Sequence, residues 1–340
     1  MHACAESLVK HIDEGVVQCR ACARCCTIAD GTAGFCGVRR STSGHLLSVM
    51  YGRPAAAHTD PVEKKPLYHV YPGSRAYSIG TLGCTMRCRW CQNCSIAMPD
   101  NHRIEAVAGH SEQPPELIVE AAIRQGADGI AYTYNEPTVW IEYVHDVAAA
   151  AARVGLYNVW VSNGGTTVDA VRYIAPHLTA ANIDLKSFRD STCRRYTGLP
   201  LQPVLDSLEY FVRHTAVWVE VTMLLIPDIN DSPEEIQDAC RFVAGLSPDI
   251  PLHFSAFYPA CRMTGHAAAS PELLQSARRI ALKEGLRYVY LGNVADEGAT
   301  ACPDCGDVVL CRSDRGRYTA RFAGHCPGCG TAIPGIWRGI

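Results

Sequence analysis

Eighteen cysteines stand in the 340-residue chain, and most of them fall in three groups. The tightest group lies in "GCTMRCRWCQN", where Cys84, Cys88 and Cys91 keep C-x3-C-x2-C spacing and Cys94 follows. Thiolates are soft-metal ligands, and three of them on one short loop leave one iron of a four-iron cubane without a protein ligand. An open coordination position is what a reactive metal needs and a structural one avoids. A structural zinc that takes Cys94 as its fourth ligand is the competing assignment. A second group, Cys19, Cys22, Cys25, Cys26 and Cys36, lies in a glycine-rich stretch expected to be a small metal-ordered module rather than helix or strand. The third is a pair of C-P-x-C-G turns, Cys302 with Cys305 and Cys326 with Cys329, which is the knuckle spacing of a zinc ribbon. Cys4, Cys193, Cys240, Cys261 and Cys311 are scattered and read as small buried or incidental thiols.

The elements that must position the central loop are read from hydrophobic periodicity. The apolar run "AYSIGTL" leads straight into the loop. From about residue 115 apolar strands alternate with amphipathic helices: "GIAYTY", "NVWVSN", "AANIDL", "VWVEVTMLLI", "LHFSAF" and "RYVYLG" are the strands. Strands apolar throughout, each followed by a helix, imply parallel β/α units with both sheet faces covered. Roughly six or seven such units predict an α/β fold, a partial to full TIM-like (β/α) barrel over 76–295. A Cys-rich N-terminal module and linker would occupy 1–75, and a zinc-ribbon-like module 296–340.

At the central loop the sequence resembles the radical SAM superfamily, whose signature is C-x3-C-x-Φ-C with an aromatic Φ, here Trp90. The resemblance implies a [4Fe-4S] cluster on Cys84, Cys88 and Cys91 whose open iron chelates S-adenosylmethionine (SAM), with Trp90 beside the adenine. "CQN" and the segments that follow are similar to pyruvate formate-lyase activating enzymes. "TYNEP" then implies that Asn135 and Glu136 contact the methionine amino group, "VSNGG" supplies Ser162 and Asn163, "IDLK" supplies Asp184 and Lys186, and "LHFSAF" places His253 at a strand end. Each has a bland alternative: an Asp184–Lys186 ion pair, a core His253, Glu136 as a helix cap. "LLIPDIND" resembles the family's IPG-x-ND with Asp228 where glycine is usual. Over nearly the whole length, "GFCGVR", "DPVEKKPLYHVYPGS", "YTYNEPTVWIEY" and "HFSAFYP" resemble the AmmeMemoRadiSam radical SAM proteins, with Thr85 in place of that family's Asn. That likeness selects Cys19, Cys22, Cys26 and Cys36 as an N-terminal ligand set for zinc or an auxiliary cluster, with Cys25 spare, and implies Memo-like and AMMECR-like partner proteins and an electron donor such as flavodoxin or ferredoxin. Cys94 then reads as a thiol lining or backing the pocket.

Composition sets the outer bounds. Hydrophobic residues make up 48% and charged ones 19%, so a sizeable core can form. A net charge of -3 gives no drive toward nucleic acid or an anionic membrane. No apolar stretch suits a membrane helix and the N-terminus lacks a secretory pattern, so a cytoplasmic protein is expected. The expected activity is reductive cleavage of SAM to a 5'-deoxyadenosyl radical that abstracts hydrogen from a substrate, which can be a protein. The alternatives are SAM-derived group transfer on the same cluster and a non-enzymatic zinc-binding scaffold.

Overall fold

The computed structural model describes residues 2–296, 298–312 and 322–337. Its centre is an eight-stranded sheet: β1 (Ala56–Pro61), β2 (Arg75–Gly80), β3 (Gly129–Tyr132), β4 (Tyr157–Ser162), β5 (Ala180–Asp184), β6 (Trp218–Leu225), β7 (Leu252–Ala256) and β8 (Val289–Gly292). The strands lie in chain order across the sheet, β2 to β8 pair in parallel, and β1 pairs antiparallel with β2. β1 and β8 are not paired with each other, so the barrel is partial. The expected seven parallel strands are present; β1 falls in the Pro- and Gly-rich stretch read as a linker, where prolines at either end hid a short edge strand.

Besides the short helices Cys94–Ala97 and Asn101–Ala108, the described residues hold α1 (Pro115–Arg124), α2 (Ile141–Arg153), α3 (Val168–Ile174), α4 (Asp190–Thr197), α5 (Gln202–His214), α6 (Pro233–Leu246) and α7 (Pro271–Lys283). Their starts follow local chemistry. Thr167, Ser232 and Ser270 cap α3, α6 and α7 by accepting a backbone N–H, and proline opens α1, α6 and α7. α4 has no apolar stripe long enough to announce it. Trp140, Trp160, Tyr132 and Phe211 are fully buried between sheet and helices. Each such side chain contributes roughly 1.5–3 kcal/mol of transfer free energy.

The N-terminal residues pack into the barrel's core. Leu8, Val17, Ile28 and Val38 join the same core as the barrel, and the segment contains short strands, Val9–Asp13, Val16–Cys19 and Thr27–Ala29 in one sheet and His2–Ala3, Arg39–Thr42 and His45–Ser48 in another. The expectation of neither helix nor strand is corrected here: strands of two to five residues carry too little alternation to be read. A fully buried ion pair ties this module to α2, with Arg39 Nη2 donating to Glu142 at 2.5 Å. At the other end Thr300–Ala301 and Val308–Leu310 form an antiparallel ribbon whose core includes Cys302 and Cys326. Among the described residues, no helix is long and apolar enough to cross a membrane.

Candidate active site

The central loop leaves β2 through Gly83, whose φ of +89° and neighbours leave no room for a side chain: a Cβ there would stand 2.6 Å from the Cys36 carbonyl. Asn135 braces this turn, donating to the Gly83 carbonyl at 2.5 Å, and Asn93 Nδ2 ties the far end of the loop to the Tyr134 carbonyl at 2.7 Å. Tyr134 takes a φ of +70°, an uncommon state for a bulky residue, which turns the chain sharply between β3 and Asn135. The C-terminal ends of β2 and β3 are thereby joined into one rim.

One cavity of about 340 Å³ gathers Cys84, Cys88, Trp90, Cys91, Asn135, Asn163, Asp184 and Lys186. Burial, and then the Glu136 carboxylate, push the Cys84 thiol far above its ordinary range. Burial likewise pushes Cys88 up to about 12, with Lys186 working against it. A soft metal binds cysteines as thiolates, and three gathered in one cavity are a donor set for one. Lys186 donates to Asp184 at 2.7 Å; burial opposes its charge, but Asp184 and the Cys88 sulfur hold its pKa above the usual lysine value. Cys94 opens the helical turn Cys94–Ala97, is not among the residues lining the cavity, and its thiol lies against that of Cys261. Three thiols, not four, therefore face the cavity.

Glu136 and Ser162 stand behind the cavity. The buried Glu136 carboxylate accepts from Thr138 Oγ1 (2.6 Å), Thr138 N (3.1 Å), Ser162 Oγ (3.0 Å) and Asn163 N (2.8 Å). With its oxygens so occupied, it holds Asn163 in place. Asn163 Nδ2 in turn donates to Thr85 Oγ1 at 3.0 Å and reaches Cys84 Sγ at 3.7 Å. Thr85 is thus a buried acceptor for Asn163. Asp228 has a φ of +61°, a left-handed state that suits glycine and that Asp tolerates. Beside it Asn230 accepts from Ile226 N and donates to the Lys186 and Leu224 carbonyls, fixing the strand end that carries Lys186.

His253 is the second residue of β7 rather than at its end; its Nε2 pairs with Glu220 at 2.6 Å, and the residue that reaches the cavity of the three thiols is Ser255, two positions on and on the same face of the strand. His253 instead lines an adjoining cavity of about 510 Å³ with Lys64, Arg75 and Tyr68. Thr222, Ser255, Asn293 and Lys64 line both. Sequence reasoning missed Thr222, although it shares a strand face with Glu220 and Leu224 and carries a hydroxyl among apolar neighbours.

The two outlying cysteine groups differ. Cys302 and Cys329 bring their sulfurs to 3.5 Å, as do Cys305 and Cys326, and all four lie within 4.8 Å of one another. Four Zn–S bonds of about 2.3 Å at tetrahedral angles set sulfurs roughly 3.8 Å apart, so this set fits one metal ion. Cys19, Cys22, Cys26 and Cys36 line a shared small cavity, while Cys25 is not among its lining residues and donates to the Cys22 carbonyl.

The radical SAM superfamily model matches residues 78–243. The "Uncharacterized protein MJ0808" of Methanocaldococcus jannaschii is 38% identical over 302 residues, covering 88% of each chain. Among solved structures, SuiB of Streptococcus suis bound to precursor peptide SuiA matches with a TM-score of 0.50 and 12% identity, covering 69% of this chain and 52% of that one. A domain of pyruvate-formate lyase-activating enzyme from Bacteroides vulgatus has a TM-score of 0.43 and 18% identity, covering 49% of this chain and 100% of that one. Residues 78–243 carry the domain of the radical SAM superfamily. Its members are enzymes of SAM-dependent radical chemistry that use a [4Fe-4S] cluster, and the three cavity-facing thiols fit that group.

Proposed function

We propose that the chain is an activating-enzyme-like radical SAM oxidoreductase of the AmmeMemoRadiSam type, which abstracts hydrogen from a substrate carried on, or presented by, a partner protein. The observation that carries this reading is the joined pair of cavities: one gathers Cys84, Cys88 and Cys91 with polar strand-end residues, and the other continues past Thr222. Cys84, Cys88 and Cys91 would hold the cluster. When bound, it supplies the electron that splits SAM into methionine and a 5'-deoxyadenosyl radical.

The chain's own residues do the positioning. Lys186 offers a cation to a carboxylate, and its Asp184 partner offers an acceptor to an amino group. Trp90, buried at the cavity wall, offers an apolar face to a planar base. The Asn163 amide, fixed by Glu136, donates toward the Cys84 sulfur, a bond that tunes a bound cluster's potential. Thr222 Oγ1 is buried without a hydrogen-bond partner where the cavities meet, leaving a polar group for a bound molecule. Memo-like and AMMECR-like proteins are the proposed partners and flavodoxin or ferredoxin the proposed donor. Zinc is proposed for the C-terminal four cysteines, and the cytoplasm as the location.

Anaerobic reconstitution with iron and sulfide, followed by SAM, dithionite and product analysis, tests the reading. 5'-Deoxyadenosine is expected. Methylthioadenosine would move the assignment to group transfer, and a colourless zinc-only protein to a scaffold.

A further inference from the structure

The four N-terminal thiols and the central three share a geometry that the C-terminal four do not. Among the described residues, neither set brings three of its sulfurs within 4.8 Å of one another, whereas the C-terminal set brings all four. Cys19, Cys22, Cys26 and Cys36 instead ring a cavity wide enough to admit a water-sized body. A lone zinc would exclude one: at Zn–S bonds of about 2.3 Å the sulfur surfaces nearly touch the ion, and the centre has no spare room. A cubane places an iron between each thiolate and its centre and so holds its ligands further apart. The remaining wall is mostly apolar, Ala21, Ile28, Gly34, Phe35 and Val139, with Thr85, Thr138 and two cations, Arg24 and Arg39. Phe35 N donates to Cys26 Sγ at 3.5 Å and Arg39 Nη1 to Cys19 Sγ at 3.7 Å, the N–H···S contacts that suit an anionic cluster.

This cavity also abuts the active-site loop. Thr85, next in sequence to Cys84, lines it. Arg24 donates to the Thr85 carbonyl at 2.5 Å, and Gly83 packs on the Cys36 carbonyl. Arg87 joins the two from the other side, donating to the Cys84 carbonyl at 2.9 Å and the Phe35 carbonyl at 2.8 Å, and both guanidinium groups lie on the Phe35 ring.

We propose that Cys19, Cys22, Cys26 and Cys36 hold a second, fully ligated [4Fe-4S] cluster, set against the Cys84 loop so that it passes single electrons to the cluster there. A low-potential one-electron carrier protein reduces the N-terminal cluster from 2+ to 1+. Transfer to the central cluster returns it to 2+ and leaves the central one at 1+, with no proton moved. Four thiolates close the N-terminal site, so substrate does not bind there.

The relay rests on the function proposed above; the ligation does not. The test is iron, sulfide and zinc content of the full-length chain reconstituted anaerobically, in the wild type and in a Cys84→Ser/Cys88→Ser/Cys91→Ser triple variant that cannot bind SAM through iron. About eight irons are expected in the wild type and about four in the triple variant, which keeps a [4Fe-4S] signal in electron paramagnetic resonance after reduction. A triple variant without iron and with two zinc ions per chain would overturn the assignment. In a Cys22→Ser/Cys26→Ser variant about four irons should remain, with a signal that SAM still perturbs, and reduction by reduced ferredoxin should slow at least about tenfold relative to dithionite, some 1.4 kcal/mol in barrel-side barrier. Unchanged reduction by ferredoxin would overturn the relay. Should this double variant fail to fold, the triple variant alone decides the ligation.

Discussion

Glu136 accepts the backbone N–H of Asn163 at 2.8 Å, and that bond sets where the Asn163 amide points. Through Asn163 the carboxylate acts on Thr85 and Cys84 without touching the cavity. Each of its oxygens accepts a backbone N–H, Oε1 from Thr138 and Oε2 from Asn163, so Glu136→Gln would turn an NH2 group onto a fixed donor in either orientation. A loss of about 1–3 kcal/mol in stability is expected, measured by denaturant unfolding of the reconstituted protein. SAM affinity, read by equilibrium binding, should fall as Asn163 loosens. An unchanged stability would contradict the network.

Asp228 tests the backbone at a left-handed position. It is exposed and sits at a φ of +61°. Asp228→Gly should leave the midpoint of thermal unfolding unchanged or raised, and Asp228→Val should cost about 1–2 kcal/mol, because a β-branched residue fits the left-handed region badly. Equal stability of the two variants would contradict the backbone explanation.

His69 is buried between the Pro334 carbonyl (2.6 Å at Nδ1) and the Tyr290 hydroxyl (2.7 Å at Nε2). Burial lowers its pKa from 6.5 to about 4. The unfolded chain therefore takes up a proton from about pH 6.5 downward while the folded chain resists until about pH 4. Stability is present above 6.5 and is lost as pH falls through that window, by roughly 3 kcal/mol at 1.36 kcal/mol per pH unit. His69→Gln should flatten the loss between pH 6.5 and 4 in chemical unfolding curves. An equally steep loss in the variant would exclude His69 as its source.

The C-terminal four cysteines predict one metal ion per chain in addition to iron. Cys326→Ser should lower the unfolding midpoint and release that ion, seen by metal analysis, while the visible absorption of the iron-sulfur centre persists. Retention of both the ion and the midpoint would contradict a structural site.

The cysteine loop and the alternation from β3 to β8 were legible because each is local: spacing within one turn, or period within one element. What escaped the sequence is long-range or short. Cys94 and Cys261 meet only in the folded chain, and the Glu136–Asn163–Cys84 connection joins three strand ends. The N-terminal strands are too brief to show a period, and β1 begins beside prolines. His253 shows a subtler miss: its strand was read correctly, but the family resemblance put it at the strand's end, whereas it lies near the start and pairs with Glu220, as a core histidine would.

The central claim is that three thiols, not four, hold the reactive cluster. The direct measurement is 5'-deoxyadenosine formed from SAM and dithionite under anaerobic conditions by Cys88→Ala and Cys94→Ala, each compared with the wild type. The account predicts no product from Cys88→Ala and product within about twofold of wild type from Cys94→Ala, a difference below RT. Equal loss in both variants would contradict it and make Cys94 a ligand.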